Sequence, residues 1–417
     1  MKKVTLLCMM LFSIFATQAQ VAVNDSVSLG SNYANMSFYS LANGEQASVN
    51  AKDWDLQIWN NLMSASIRVN DGAGVMLYRL TNDDTTDWNS VDTTGMTPLY
   101  NSDTTWETGA FNALAGVHPD YGWGIYDDFN NGNLKGYRIF VIKTLNGNYK
   151  KIWVKRHVWD GISEAYYEIT IANLDNSNEE NITISKTDYP TKSFTYYSID
   201  SAEIKDIEPA KTDWDLVLRR YQTLTQGQYY TVMGVLTQPD VLSAEARGVD
   251  VSSNDYTPYS FSENISVIGS DWKNFNQSVF QWELIDSLAY FVTAQDGYYY
   301  KVIFTGFGGQ GTGKVVFNKT QLDPPATAVT EISNLQSLTT YPNPATDKIQ
   351  TLFTLKNDAD VTVRMFDLAG KSHLNIATQA HAGLNNLNLN VSELSQGFYL
   401  LSVDDGNNKL TYKFVKE

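Results

Sequence analysis

Phe38-Tyr39-Ser40-Leu41 precedes Asp53-Trp54-Asp55-Leu56, and the same order returns as Tyr196-Tyr197-Ser198-Ile199 ahead of Asp213-Trp214-Asp215-Leu216. An aromatic run followed at similar spacing by Trp-Asp-Leu, twice in one chain, marks a repeated supersecondary unit. Further along, Phe140-Val141-Ile142 passes through Asn146-Gly147 into Tyr149-Lys150-Lys151-Ile152. Its counterpart, Tyr290-Phe291-Val292, turns at Asp296-Gly297 into Tyr299-Tyr300-Lys301-Val302. Asn-Gly and Asp-Gly suit tight hairpins because such turns need positive φ at their central positions. Each copy therefore opens with a Trp-containing strand and closes with a hairpin. The copies run from Ser26 to Asn173 and from Ile182 to Asn318, within blocks 20–181 and 182–318. Two tandem domains and two halves of one sheet assembly both satisfy the pattern.

The intervening sequence points the same way. Ser66-Ile67-Arg68-Val69, Tyr137 to Lys143 and Tyr166 to Ala172 cluster β-branched and aromatic residues between turn formers. No window sustains a helical period with caps. The expected class is all-β, with two antiparallel β repeats followed by a small C-terminal β-sandwich.

The chain has 417 residues, 13% of them aromatic and 43% hydrophobic, enough for more than one packed core. Lys2-Lys3, the apolar run Val4 to Phe15 and Thr17-Gln18-Ala19 read as a signal peptide over residues 1–19. No later run is long and apolar enough to cross a bilayer as a helix. Cys8, the single cysteine, falls inside that signal, so the processed chain is expected to have no thiol, disulfide or cysteine-based metal site. The formal net charge is −16, and loss of Lys2 and Lys3 makes it −18. Phosphate backbones are repelled by such a chain, and no Lys/Arg cluster offers a local exception, which excludes nucleic acid as a partner.

A linker is expected at 319–337, with Pro324-Pro325 and small polar residues. After it come Tyr341-Pro342-Asn343-Pro344, the strand Val361 to Phe366 ending in Asp367-Leu368-Ala369-Gly370-Lys371, the alternating run Leu384 to Val391, Gly397-Phe398-Tyr399-Leu400-Leu401, and Lys409 to Lys416. Physically these make a small seven-strand-like sandwich. In that order the motifs resemble the type A C-terminal sorting domain of type IX secretion cargo, over residues 338–417. The resemblance implies passage to the outer cell surface or medium by way of the periplasm. It also implies the type IX secretion machinery and a sortase as partners.

The region ahead of the linker is similar to the HmuY-like haem-binding family. The similarity rests on the Trp-Asp-Leu strands at Trp54 and Trp214, the Tyr-x-Val, Asp-Gly, Tyr-x-Lys hairpin at 290–302 and the glycine-rich turn between Gly306 and Phe317. It implies haem or a related porphyrin held between axial ligands on loops beyond the sheet, with host proteins as further partners. The histidines outside the sorting region are His118, in Gly116-Val117-His118-Pro119, and His157, just past the strand Tyr149 to Lys155. Those two are the candidate axial pair, with Met96 and Met233 as fallback ligands. If the strand continues, strict alternation places Tyr149, Trp153, His157 and Trp159 on one face and Ile152, Val154 and Val158 on the other.

Enzyme signatures fail on inspection. Gly308-Gly309-Gln310-Gly311-Thr312-Gly313-Lys314 has phosphate-loop spacing, but Val315 replaces the Mg²⁺-binding hydroxyl and both flanks read as strands. There is no His-Glu-x-x-His and no Gly-x-Ser-x-Gly. Asp83, Asp84 and Asp87 match no calcium loop spacing. The expected function is non-enzymatic haem or porphyrin capture at the cell surface, or surface binding or adhesion without haem.

Overall fold

The computed structural model describes residues 21–128, 133–160, 164–323, 334–367, 371–406 and 408–417. The expected signal at 1–19 lies outside the described residues. Every named sheet is antiparallel, as the alternating sequence predicts.

The two sequence repeats interlock at the centre. Asn35–Ser40, the aromatic strand of the first copy, pairs with Leu216–Thr225, which follows the second Trp-Asp, in the register Tyr39↔Leu216. Phe194–Ser198 pairs with Leu56–Trp59 in the register Tyr197↔Leu56. Each aromatic strand thus lies beside the Trp-Asp-Leu strand of the other copy, so a boundary at 181/182 does not separate two sheets. Trp54 meets Tyr196 edge-on at 5.2 Å between ring centroids, and Trp214 meets Phe38 at 5.0 Å. These rings form a buried cluster shared by both copies.

The aspartate of each triplet locks this exchange. Asp55 Oδ2 accepts from the backbone N–H of Ile199 at 2.7 Å, and Asp215 Oδ2 from that of Leu41 at 2.6 Å. Their other oxygens accept from Leu145 N–H at 3.4 Å and Gln295 N–H at 2.7 Å, just before the two hairpin turns. A buried carboxylate whose oxygens join the partner copy's strand end to its own copy's hairpin explains why Asp stands there twice.

Two larger sheets flank this centre. One is ordered Ala22–Ser28, Lys314–Leu322, Tyr299–Phe307, Leu288–Thr293, Ser243–Arg247, so the first described strand closes the sheet of the second copy. The other is ordered Glu180–Ser185, Ala165–Asn173, Tyr149–Trp159, Arg138–Lys143, Met76–Asp84, Thr97–Leu99, with Gly124–Asp128 and Asn133–Gly136 as a flap on Tyr149–Trp159. The glycine-rich run is a hairpin connection with one short helix, Gly309–Thr312.

The expected linker is strand at both ends, in Lys314–Leu322 and Leu335–Tyr341, because Leu322 and Leu335 are both core residues; positions 324–333 lie outside the described residues. The C-terminal module is a sandwich of three strands (Leu335–Tyr341, Lys348–Leu355, Gly383–Asn390) on four (Ser372–Ala380, Ala359–Asp367, Gly397–Asp404, Lys409–Lys416). Its core includes Ile349, Phe353, Val363, Leu401 and Phe414.

Candidate functional site

The strand Tyr149–Trp159 does not alternate strictly. Its pairing with Ala165–Asn173 slips between Val154 and Arg156, a β-bulge. One extra residue reverses which face later side chains take. His157 and Trp159 consequently join Ile152 and Val154 on the buried face, while Trp153 packs with Trp88 in a cluster on the other side. This corrects the expected grouping of His157 with Tyr149 and Trp153. Gly136 opposite the bulge leaves room for it, since a Cβ there would sit 1.7 Å from the Val154 carbonyl oxygen.

His157 is 3% exposed and lies 4.8 Å from the Tyr167 ring. Among the described residues neither of its ring nitrogens has a hydrogen-bond partner. Burial holds its pKa well below 6.5, and the Lys186 ammonium adds to the shift. Lys186 is buried too, donating from Nζ to the Ser64 carbonyl at 2.7 Å. Burial pushes it down to about 7, against the opposing pull of Glu107. At neutral pH His157 is therefore an uncharged imidazole, the form that binds metals.

His118 sits in a loop that Asp120 ties down. Asp120 accepts from Gly116 N–H at 3.1 Å, Gly122 N–H at 2.7 Å and the Tyr137 hydroxyl at 2.8 Å. The His118 ring lies 5.3 Å from Tyr126 and 6.3 Å from Tyr121, whose hydroxyls are 3.0 Å apart. It is solvent-accessible at the rim, yet crowding lowers its pKa, with the Glu417 carboxylate pulling the other way.

The two histidines converge. His118 and His157 line one pocket with Leu62, Met63, Tyr121, Tyr126, Leu134 and Trp159, and Tyr341 and Pro342 of the C-terminal module complete its wall. Met63 is the possible donor that sequence reading missed; nothing in its local sequence, Asn61-Leu62-Met63-Ser64, signals the site. The fallback methionines are elsewhere. Met233 is in the core of the second half, and Met96 packs near Trp88.

The pocket suits haem in kind, with two imidazoles and aromatic walls, but not in size. Its volume is about 30 Å³, room for a water or two, whereas small-molecule sites run to roughly 300–1,000 Å³. The acidic cluster at 83–87 is engaged structurally: Asp83 pairs with Arg138 at 2.7 Å and Asp84 accepts from Thr86 N–H at 2.8 Å.

Residues 339–417 match the sequence model of the secretion system C-terminal sorting domain. The C-terminal sandwich is thus a type IX secretion sorting domain, which points to secretion or attachment to the outer cell surface. No curated protein is similar enough to count as a relative. Among solved structures, the chain is similar to dimeric latent PorU from Porphyromonas gingivalis, at 8% identity and a TM-score of 0.20. The alignment covers 68% of this chain and 31% of that one, and a likeness this slight carries no argument. The HmuY-like reading of residues 26–318 rests on its motifs alone. Among the described residues no helix is long and apolar enough to cross a membrane.

Proposed function

We propose that this is a non-catalytic binding protein delivered to the outer cell surface, with its ligand site in the pocket shared by His118 and His157. The supporting observation is His157, a buried imidazole with neither nitrogen paired among the described residues, lining a cavity beside a second histidine. An unpaired buried polar group costs about 1–3 kcal/mol, so a position serving stability alone would carry an apolar side chain. The sorting domain supplies the route to the surface.

The closed volume favours surface binding without haem over haem capture for the intact chain. Haemin titration into the intact chain tests this, followed by absorbance. The expected result is no saturable low-spin spectrum. A sharp low-spin spectrum in the wild type, lost in both His118→Ala and His157→Ala, would overturn it and establish a haem carrier with those axial ligands.

A further inference from the structure

Taking the His118–His157 pocket as the ligand site, we infer that Tyr341 and Pro342 are a removable plug in it, and that the Tyr341 ring stands where a flat aromatic ligand binds.

Tyr341 is the last residue of the strand Leu335–Tyr341 and belongs to the sorting domain. Its ring is not buried in that domain's own core. It packs with Trp159, Ala165, Leu62 and Leu352 in a small cluster bridging the two regions, 5.4 Å from the Trp159 ring. Only 8% of Tyr341 is exposed, and its hydroxyl donates to Gln350 Oε1. The following residues anchor the plug to the sorting domain's last strand. Asn343 Nδ2 donates to the Lys413 carbonyl at 3.2 Å, and Asn343 Oδ1 accepts from Val415 N–H at 2.8 Å. Ala345 N–H donates to the Val415 carbonyl at 2.7 Å. That same strand leads to Glu417, whose carboxylate acts on His118.

The plug thus belongs to one region and the donors to the other. Side chains of the main region line the pocket, among them His157, Trp159, Tyr126 and Leu134. Withdrawing Tyr341 would vacate a slot one aromatic ring wide against Trp159, beside the unpaired imidazole of His157. An aromatic wall selects a flat apolar ring, and a neutral imidazole adds a lone pair that binds a metal or accepts a hydrogen bond from an acidic N–H on it. Tyr341 occupies the slot without pairing with His157, so a ligand with such a group has an advantage over the plug. The closed volume of about 30 Å³ is then a property of the plugged state.

The test uses the full chain as wild type, Tyr341→Phe, Tyr341→Ala and Leu352→Ala, with diethyl pyrocarbonate labelling of His157 read by peptide mass. Leu352 supports the plug from the sorting domain without lining the pocket. His157 labelling is expected to be slow in the wild type and Tyr341→Phe. In Tyr341→Ala it should rise on the order of tenfold, as expected when a local opening is made easier. Leu352→Ala should fall between. Exposed His381 is the reference for reagent, and acetylation of buried Lys273 reports unfolding of the main region. Rapid labelling in the wild type, or none in Tyr341→Ala with Lys273 still protected, would overturn the plug. 4-Nitroimidazole, a single flat ring with an acidic N–H, serves as the probe: quenching of tryptophan fluorescence that is saturable in Tyr341→Ala, absent in wild type and lost in Tyr341→Ala/His157→Ala supports the aromatic slot. Labelling that rises while the probe stays unbound removes the slot and leaves the plug. Probe bound equally by wild type and Tyr341→Ala removes the plug and leaves the ligand site.

Discussion

The stretch from Trp106 to Trp123 in the first half and that from Trp272 to Trp282 in the second are built differently. Both begin on a buried indole, Trp106 donating to the Thr237 carbonyl at 2.9 Å and Trp272 to that of Gly269 at 3.2 Å. Each stretch also has a buried lysine on backbone carbonyls in its part of the fold: Lys186, from the second copy, on Ser64 of the first, and Lys273 on Met233 at 2.7 Å and Ser270 at 3.1 Å. Burial pushes each down to about 7. Beyond that the halves diverge. The longer first stretch folds over the sheet, is pinned by Asp120 and encloses His157. The shorter second stretch opens into the hairpin Lys273–Asn276 and Gln281–Leu284, leaving Val279 and Phe280 in solvent. A scaffold held by its strands leaves loop length free to vary, and here the longer loop makes a pocket.

The largest effects should come from what the halves share. Asp215→Ala strands the N–H groups of Leu41 and Gln295 and is expected to cost roughly 2–6 kcal/mol in chemical denaturation, since each orphan donor costs about 1–3. Asp55→Ala should cost less, because its bond to Leu145 is 3.4 Å against 2.7 Å to Gln295. Equal losses would mean that hydrogen-bond length does not set the difference between the corners.

The buried lysines offer a sharper comparison through pH. Unfolded Lys186 keeps its proton up to about 10.5, while the folded group sheds it above about 7. Between those values the unfolded state binds more protons, so this group makes stability climb with pH, approaching about 1.4 kcal/mol per unit. Lys186→Met should remove that contribution and leave the parallel one from Lys273. Identical pH slopes in wild type and variant would show that Lys186 stays charged in the fold.

His157→Phe should stabilise the chain by about 1–2 kcal/mol by removing an unpaired buried polar group. Folded His157 resists protonation where the unfolded residue accepts it, so wild-type stability falls as pH drops below 6.5. The variant should lose that part of the acid fall. A destabilised variant would mean that His157 supports the fold rather than a ligand. The smallest effect is expected in the open half, where Phe280, 79% exposed, should tolerate Phe280→Ser within about 0.5 kcal/mol by thermal denaturation.

Much of the architecture was legible in local patterns. Alternating aromatic and β-branched runs with Asn-Gly and Asp-Gly turns predict antiparallel strands, and the ordered motifs from Tyr341 to Lys416 mark the sorting domain. The residue types His118 and His157 were also visible as candidates. Their meeting was not, nor was Met63, because the pocket joins segments distant in sequence. The bulge after Val154 escaped strict alternation because an extra residue in one strand is defined by its partner, with only Gly136 as an indirect sign.

The sequence by itself therefore determined the strand chemistry, the repeated Trp-Asp-Leu triplets and the export module, all of which depend on neighbouring residues and backbone periodicity. Tertiary structure alone decided that the repeats exchange strands, that one bulge turns His157 inward, and that Tyr341 from the sorting domain closes the pocket. Those outcomes depend on which surfaces bury one another, and burial is set by residues that the chain brings together only on folding.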